Sequence, residues 1–333
     1  MLSPERDQGL PRVSLIVPIR NEAKHIGDCI RGIQAQSYPA ELLEIIVVDG
    51  ASADDTVSIV ERLATEDQRI RLLTNPDRAM PQGLNLGIQA SKGVYVGVVS
   101  GHSVLPLDYV SLTVRILQET GSASVGGRIV RTATKPMQRA IAAATASRIG
   151  VGDSRHNYAT EAGWVETVFP GFWPRDLFDR VGWFDPAMVA NEDNELSLRI
   201  RKAGERIWYD PRIAVEYAPR ASLRGLFHQY RRYGLGKMRV LRKHRGGLRW
   251  RHLAPAAWLG WVVLGGAVSL LVPIVAVAWW VLMATYVMTI VLASLRLQER
   301  GVPWWMIALA LVTVHVAYGV GTWQGIATWL RRA

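Results

Sequence analysis

The chain has 333 residues, 49% hydrophobic and 20% charged, with a formal net charge of +11 and one cysteine, Cys29. That length suits roughly two domains. A lone cysteine excludes an intramolecular disulfide and fits a reducing compartment, and the positive charge comes without any recognisable nucleic-acid motif, which argues against a nucleic-acid partner.

Residues 1–12 are polar and lack an apolar signal-peptide core, so the soluble part is expected in the cytoplasm. Val13–Pro18 is a short apolar run, and Glu22–Gln36 follows with helical spacing. Glu44–Val48 predicts a second strand ending at Asp49, and Ala53–Ala64 a helix starting on Asp54. Ile70–Thr74 reads as a third strand, Pro81–Ala90 as a helix with proline in its first turn, and Val94–Val99 as a fourth strand ending at Ser100. Short apolar strands alternating with helices imply an α/β fold, a Rossmann-like, mostly parallel sheet flanked by helices. Ligands of such sheets bind beyond the carboxyl ends of the strands, where Asn21, Asp49 and His102 are expected to converge.

Beyond Gly101 the pattern loosens. Asp108–Glu119 and Gln138–Ser147 read as helices, Ser124–Thr132 as a strand and Gly150–Gly163 as a polar loop. Glu192–Ala203 has the pattern of an amphipathic helix, and Ser222–Tyr233 that of a helix along a membrane surface. Between Arg231 and Arg251 stand nine Lys/Arg and no acid. No Asp, Glu, Lys or Arg occurs from Leu253 to Leu295 or from Gly301 to Leu330. A bilayer span needs ~20 apolar residues, so the first run is long enough for two spans, broken near Pro273, and the second for one. Eight of the nine tryptophans in this third of the chain, Trp250 and Trp258 among them, include candidate interfacial anchors. The expected division is a catalytic domain over 1–220, a basic membrane-surface region over 221–252 and a transmembrane domain of about three helices over 253–333. The basic block before the first span orients it positive-inside. Three crossings would leave Arg331 and Arg332 on the far side, against that rule; the alternatives are a crossing segment and one whose end stays in the interface.

Four places carry chemistry. Asp49 closes Val47-Val48-Asp49-Gly50-Ala51-Ser52; it is either a turn or cap residue or a carboxylate that accepts from a nucleotide's base or ribose. No G-x-G-x-x-G follows the first strand and no Walker motif is present, which argues against a dinucleotide or P-loop site. His102 is a candidate metal ligand, and imidazole suits Mn²⁺ better than Mg²⁺. Asp193, with Glu192 and Glu195 around it, opens a helix, where acids also serve simply to offset the helix dipole; as a general base it would need a hydroxyl proton within hydrogen-bond reach. Gln229, Arg232 and Tyr233, spaced i, i+3, i+4, share one helix face, and Arg can hold phosphate bidentately.

Taken in order, several segments form a known pattern: Val17-Pro18-Ile19-Arg20-Asn21-Glu22, Gln36-Ser37-Tyr38-Pro39, Ile45-Ile46-Val47-Val48-Asp49-Gly50, Gly83-Leu84-Asn85-Leu86-Gly87-Ile88, Gly182-Trp183-Phe184-Asp185, Asn191-Glu192-Asp193 and Gln229-Tyr230-Arg231-Arg232-Tyr233-Gly234. With them the chain resembles the family 2 inverting glycosyltransferases of GT-A fold, and more narrowly the membrane-bound glucosyltransferases of succinoglycan biosynthesis. The resemblance implies a nucleotide-diphospho-sugar donor, with Pro18, Asn21, Glu22, Asp49 and Ser100 around the nucleotide. It implies Asp193 as catalytic base, with Glu192, Gln229, Arg232 and Tyr233 at the diphosphate and acceptor end, and a divalent metal, Mn²⁺ or Mg²⁺, at His102. One departure stands out: where the family carries Asp-x-Asp or Asp-Ala-His, this chain has Ser100-Gly101-His102, so the histidine is kept and the preceding carboxylate lost. At Val168-Phe169-Pro170-Gly171 an apolar Phe169 takes a place expected to be polar.

The function so implied is transfer of a sugar, glucose from a UDP-sugar, to a polyprenyl-diphosphate-linked saccharide in polysaccharide biosynthesis. The implied setting is multi-pass in a bacterial inner membrane with the catalytic domain cytoplasmic. The partners are the UDP-sugar donor, the lipid-linked acceptor and the membrane, with a homo-oligomer or a polysaccharide assembly complex left open. A processive synthase, a polyprenyl-phosphate glycosyltransferase and a non-catalytic nucleotide-sugar-binding subunit are the alternatives.

Overall fold

The computed structural model describes residues 9–152, 154–188, 190–244 and 252–331. The stretch 245–251 of the basic block, with Trp250, lies outside the described residues, as do 1–8 and Arg332. In chain order the elements are β1 (Val13–Ile19), α1 (Ile26–Gln34), β2 (Leu43–Asp49), α2 (Thr56–Glu66), β3 (Ile70–Thr74), α3 (Met80–Ala90), β4 (Tyr95–Val98), β5 (Ser103–Val104), α4 (Tyr109–Thr120) and β6 (Ser124–Arg131). Next come α5 (Pro136–Thr145), α6 (Arg148–Val151), β7 (Gly163–Val165), β8 (Phe172–Pro174), α7 (Leu177–Val181), α8 (Glu192–Lys202) and β9 (Ile207–Tyr217). Last are α9 (Leu223–Lys243), α10 (Ala254–Gly260), a π-helical turn (Trp261–Gly265), α11 (Gly266–Ser269), α12 (Pro273–Arg296) and α13 (Trp304–Leu330).

Two compact units emerge: residues up to 130 with 159–217, and 131–158 with 218 onward. The second therefore also takes in 131–158, which a linear division at 220 leaves with the first.

The first unit is built on one sheet of order β3-β2-β1-β4-β8-β6-β9-β5, with β7 also on β9. Side chains alternate across a strand, and two cores result. Val13, Leu15, Val17, Leu43, Ile45 and Val47 pack with α1, α2 and α4 on one face. Ile16, Ile46, Val48 and Val96 pack with α3, α7 and α8 on the other. Only β3, β2, β1 and β4 run parallel; β8 pairs antiparallel with β4 and β6, and β9 with β5 and β7. The expected mostly parallel sheet is thus a mixed one. The strands beyond Gly101 pair antiparallel even though α4 lies between β5 and β6 and α7 and α8 between β8 and β9. β9 had no counterpart among the expected strands: Pro211 breaks its run, and proline weighs against a strand assignment. The amino-terminal edge of the parallel strands is sealed by Glu44, a buried carboxylate that accepts from Ser14 Oγ and from the Lys92 and Gly93 N–H groups.

The second unit is helical. Among the described residues two helices are long and apolar enough to cross a membrane, α12 with mean hydropathy 2.1 and α13 with 1.6. The third expected span is too short among the described residues: Ala254–Ser269 is interrupted by the π turn and ends at a bend before Pro273. The surface helix continues past its expected end at Tyr233 to Lys243 and packs along α13. Glycines permit that approach: a Cβ at Gly234 would collide with the Tyr318 carbonyl oxygen, and one at Gly321 with the Arg231 carbonyl oxygen.

Candidate active site

Parallel pairing puts the carboxyl ends of β1, β2 and β4 at one edge, with Ile19 opposite Asp49 and Ile16 opposite Val98. Pro18 lies in β1 opposite Val48, and Ser100 follows β4 by two residues. The chain leaves β1 through Asn21 and β2 through Ala51, both left-handed with φ of 57° and 56°. Asparagine tolerates that conformation better than most residues, whereas alanine has no local compensation.

The two loops are tied together. Asp49 is buried, and its carboxylate accepts from the Ser52 N–H at 3.1 Å and from Ser52 Oγ at 2.5 Å. Ser52 Oγ in turn accepts from the Asn21 N–H at 2.8 Å, and Asn21 Oδ1 accepts from the Ala53 N–H at 2.8 Å. The Glu22 N–H donates to Thr56 Oγ1 at 2.8 Å. Asp49 is therefore a turn anchor in this geometry, one of the two readings its sequence context allowed. A loop held this rigidly can also present a carboxylate without an ordering cost on binding.

His102 sits beside Glu22, with 3.0 Å between Nδ1 and Oε1, and its ring lies 5.3 Å from that of Tyr217. Gly101 makes the approach possible: a Cβ there would stand 2.7 Å from Ile19 Cγ2 and 3.4 Å from Glu22 Cγ. Below this pair Cys29 donates to the Ser100 carbonyl at 3.4 Å, and burial pushes its thiol up to about 12. Among the described residues no group of three or more His, Cys, Asp or Glu could hold a metal ion. The Glu22–His102 pair still has the chemistry of a carboxylate-held ligand, because an acid on Nδ1 leaves Nε2 as the ligand nitrogen. The pair would thus offer a divalent ion one protein nitrogen, His102 Nε2.

Asp193 comes from a different element, the first turn of α8 behind a left-handed Asn191 with φ of 63°. It is half-buried and accepts from Asn194 Nδ2 at 3.3 Å. Glu192 precedes it in the same turn. Glu195 has a different job: it is fully buried and paired with Arg199 at 2.8 Å. The same guanidinium donates to the carbonyls of Val181, of Gly182 at 2.7 Å and of Trp183 at 2.7 Å. Asn85 grips the next residue from α3, donating to the Phe184 carbonyl at 2.8 Å and accepting its N–H at 2.9 Å. Arg199, Asn85 and Ser52 were not singled out from the sequence. The i, i+4 spacing of Glu195 and Arg199 was the available signal; the Asn85 and Ser52 contacts bridge distant segments and leave no local trace.

In the second unit, Gln229, Arg232 and Tyr233 lie on α9, and Gln229 Nε2 donates to Tyr233 Oη at 3.1 Å. Tyr233 also packs edge-on against Tyr230, ring centroids 5.4 Å apart. Arg232 is exposed on the same helix.

The model of the family described as Glycosyl transferase family 2 matches residues 14–174. Succinoglycan biosynthesis protein ExoA of Rhizobium meliloti (strain 1021) is 30% identical over 325 residues, covering 96% of this chain and 96% of that protein. The chain belongs to glycosyl transferase family 2. A second relative, the dolichyl N-acetyl-alpha-D-glucosaminyl phosphate 3-beta-D-2,3-diacetamido-2,3-dideoxy-beta-D-glucuronosyltransferase of Methanococcus voltae, is 26% identical over 94% of this chain and 97% of its own length. Among solved structures, mannosyltransferase PcManGT from Pyrobaculum calidifontis, in complex with GDP-Man and Mn²⁺, matches with a TM-score of 0.66 and 21% identity. That match covers 94% of this chain and 87% of PcManGT, and the shared fold is GT-A. The family 2 chain is accordingly a glycosyltransferase, and the strand-end cluster lies inside the matched segment.

Proposed function

We propose that this glycosyltransferase moves glucose from UDP-glucose, with inversion, to a polyprenyl-diphosphate-linked saccharide during exopolysaccharide biosynthesis. The catalytic domain works at the cytoplasmic face of a bacterial inner membrane. The observation that carries the reading is the Asn21–Ser52–Asp49 network beside the Glu22–His102 pair, all at the carboxyl ends of the parallel strands. Support also comes from the succinoglycan-biosynthesis relative, from the lipid-linked acceptor in the name of the Methanococcus voltae relative, and from the apolar C-terminal helices. A multi-pass arrangement is one way for those helices to hold the enzyme there; their packing favours another, argued below.

In this reading Pro18, Asn21, Asp49 and Ser100 hold the nucleotide, and the tied loops fix its orientation. The Asp193 carboxylate takes the proton of the acceptor hydroxyl. The freed oxygen bonds to the anomeric carbon on one face as the bond to the diphosphate oxygen breaks on the other, and the nucleoside diphosphate leaves with the electron pair. Arg232 and Gln229 are assigned to diphosphate, where a guanidinium can donate bidentately, with Glu192 and Tyr233 toward the acceptor. His102, held by Glu22, is the ligand for Mn²⁺ or Mg²⁺, which when bound supplies charge neutralisation at the leaving group.

The test is nucleotide release by purified enzyme with membrane lipid extract, over a panel of UDP- and GDP-sugars, with and without Mn²⁺. Donor-selective, lipid-dependent release from UDP-glucose is expected. Donor binding without release from any sugar would leave a binding subunit in place of an enzyme of this specificity.

A further inference from the structure

The turn between α11 and α12 is apolar throughout. It reads Leu270-Leu271-Val272-Pro273-Ile274, and Leu270, Leu271 and Ile274 are 85%, 85% and 74% exposed. A turn that emerged into water beyond a membrane would carry polar residues. Most of this turn's N–H groups bond within it. Leu270 donates to the Ala267 carbonyl, Leu271 and Val272 to that of Val268, and Val275 and Ala276 to that of Val272, while Pro273 has no N–H. The π turn does likewise, its Val262 carbonyl accepting from Trp279 Nε1 at 3.2 Å. Internal satisfaction of backbone groups is what hydrocarbon demands of a segment inside it.

The reach of the hairpin is short. α10, α12 and α13 meet where Trp258 stacks on Tyr286, centroids 4.3 Å apart, and Tyr286 Oη lies 3.0 Å from His315 Nδ1. The first arm, Ala254–Ser269, rises only about 24 Å at 1.5 Å per residue, shorter than α12. The hydrocarbon core is ~30 Å thick.

α13 keeps charged company. α9 runs alongside it in the same direction, with Gly321 against Arg231, Gly234 against Tyr318 and Thr322, and Gly325 against Met238. The Ile149 carbonyl, beyond α5, takes His315 Nε2 at 2.7 Å near the middle of α13. On α9 the side chains of Arg224, Arg232, Arg239, Arg242 and Lys243 are exposed. Were α13 to cross the bilayer, α9 would carry these cations through the hydrocarbon beside it, where ionisable groups are rare. Set in the interface, the same cations meet anionic headgroups. Trp305, Leu309, Trp323 and Leu330, exposed on α13, then meet the acyl boundary.

We propose that the second unit is a one-sided membrane anchor: the α10–α12 hairpin dips into a single anionic leaflet and returns, and α13 lies in the headgroup layer beside α9. Arg296, Arg300 and Arg331 then share one side, which removes the conflict with the positive-inside rule. The inference stands apart from the donor and acceptor assignments, because its readout is labelling and not turnover.

Single cysteines are placed at Leu271, Arg331 and, as same-side controls, Arg239 and Ser58; buried Cys29 stays in place and the unsubstituted chain is the blank. Sealed right-side-out and inside-out vesicles are treated with a membrane-impermeant maleimide, before and after mild detergent. The expected result is that R331C labels from the face on which R239C and S58C label, and that L271C labels from neither face until detergent is added. Labelling of L271C or R331C from the opposite face overturns the proposal, as does labelling of L271C in intact vesicles from the R239C face. L271R guards against a misfolded cysteine variant. It should move the chain from the membrane to the soluble fraction, and full membrane retention would mean that the turn already stands in water.

Discussion

The Glu195–Arg199 pair offers the sharpest test of how α8, the helix that carries Asp193, is held. Glu195 is fully buried and Arg199 partly so, and the guanidinium bonds both carboxylate oxygens as well as three carbonyls of the 181–183 segment. Replacing Arg199 by Met keeps the volume and removes the charge, so the buried carboxylate loses its guanidinium and the carbonyls lose their donor. Breaking a buried pair from one side costs about 3–5 kcal/mol. For a unit of this size each kcal/mol shifts the midpoint by about 2–4 °C, so R199M should melt roughly 6–20 °C lower. Thermal unfolding of the purified enzyme, followed by circular dichroism, reads this directly. The double variant E195L/R199M should recover part of the loss, since the stranded charge is gone while the carbonyls still lack a donor. A midpoint for R199M within about 2 °C of the parent, less than one kcal/mol, would refute the reasoning and make the pair a solvated contact.

Other outcomes follow from the site. S52A removes the Asp49–Ser52–Asn21 relay, worth about 2 kcal/mol at ~1 kcal/mol per bond, and should raise the donor KM about 30-fold with little change in kcat; an unmoved KM would confine the relay to loop structure. E22Q should raise the metal concentration needed for half-activation by about 10–100-fold, and H102A should raise it further; unchanged metal titrations in both would remove His102 as a ligand. The Cys29 thiol, raised from 9.0 to about 12 by burial, should resist maleimide at pH 8 because its thiolate fraction there is about a thousandfold below that of an ordinary thiol. Rapid labelling of the folded enzyme would show the pocket open.

Much of this was legible in the residues. The apolar runs Val13–Pro18, Glu44–Val48 and Ile70–Thr74 reported a parallel sheet, the first two because strands covered on both faces have no polar alternation. Their ends then located Asn21, Asp49 and His102 at one edge. What stayed hidden is non-local. Ser52 meets Asn21 across 31 residues and Asn85 meets Phe184 across 99, and no window of sequence carries such pairings. Glu195 sat among the acids of a helix start, where dipole compensation masked its burial. The antiparallel half of the sheet was obscured by short strands and by Pro211. In the C-terminal third, absence of charge measured apolar length and left direction open, so a stretch with a π turn and a bend at Pro273 suits two crossings or the hairpin proposed above. The proposed one-sided anchor rests on the neighbours: each α9 cation carried to the bilayer centre would cost ~2.5–3.5 kcal/mol on an insertion scale, and α9 accompanies α13 over several turns.

The most direct test of the central claim is a comparison of D193N with the parent enzyme in the lipid-dependent nucleotide-release assay, together with donor affinity for both. Asp193 as the proton acceptor predicts that kcat falls by at least about a hundredfold, while donor affinity stays within a few-fold of the parent. Turnover at the parental rate, with donor binding intact, would contradict the account and send the search for the base to another carboxylate.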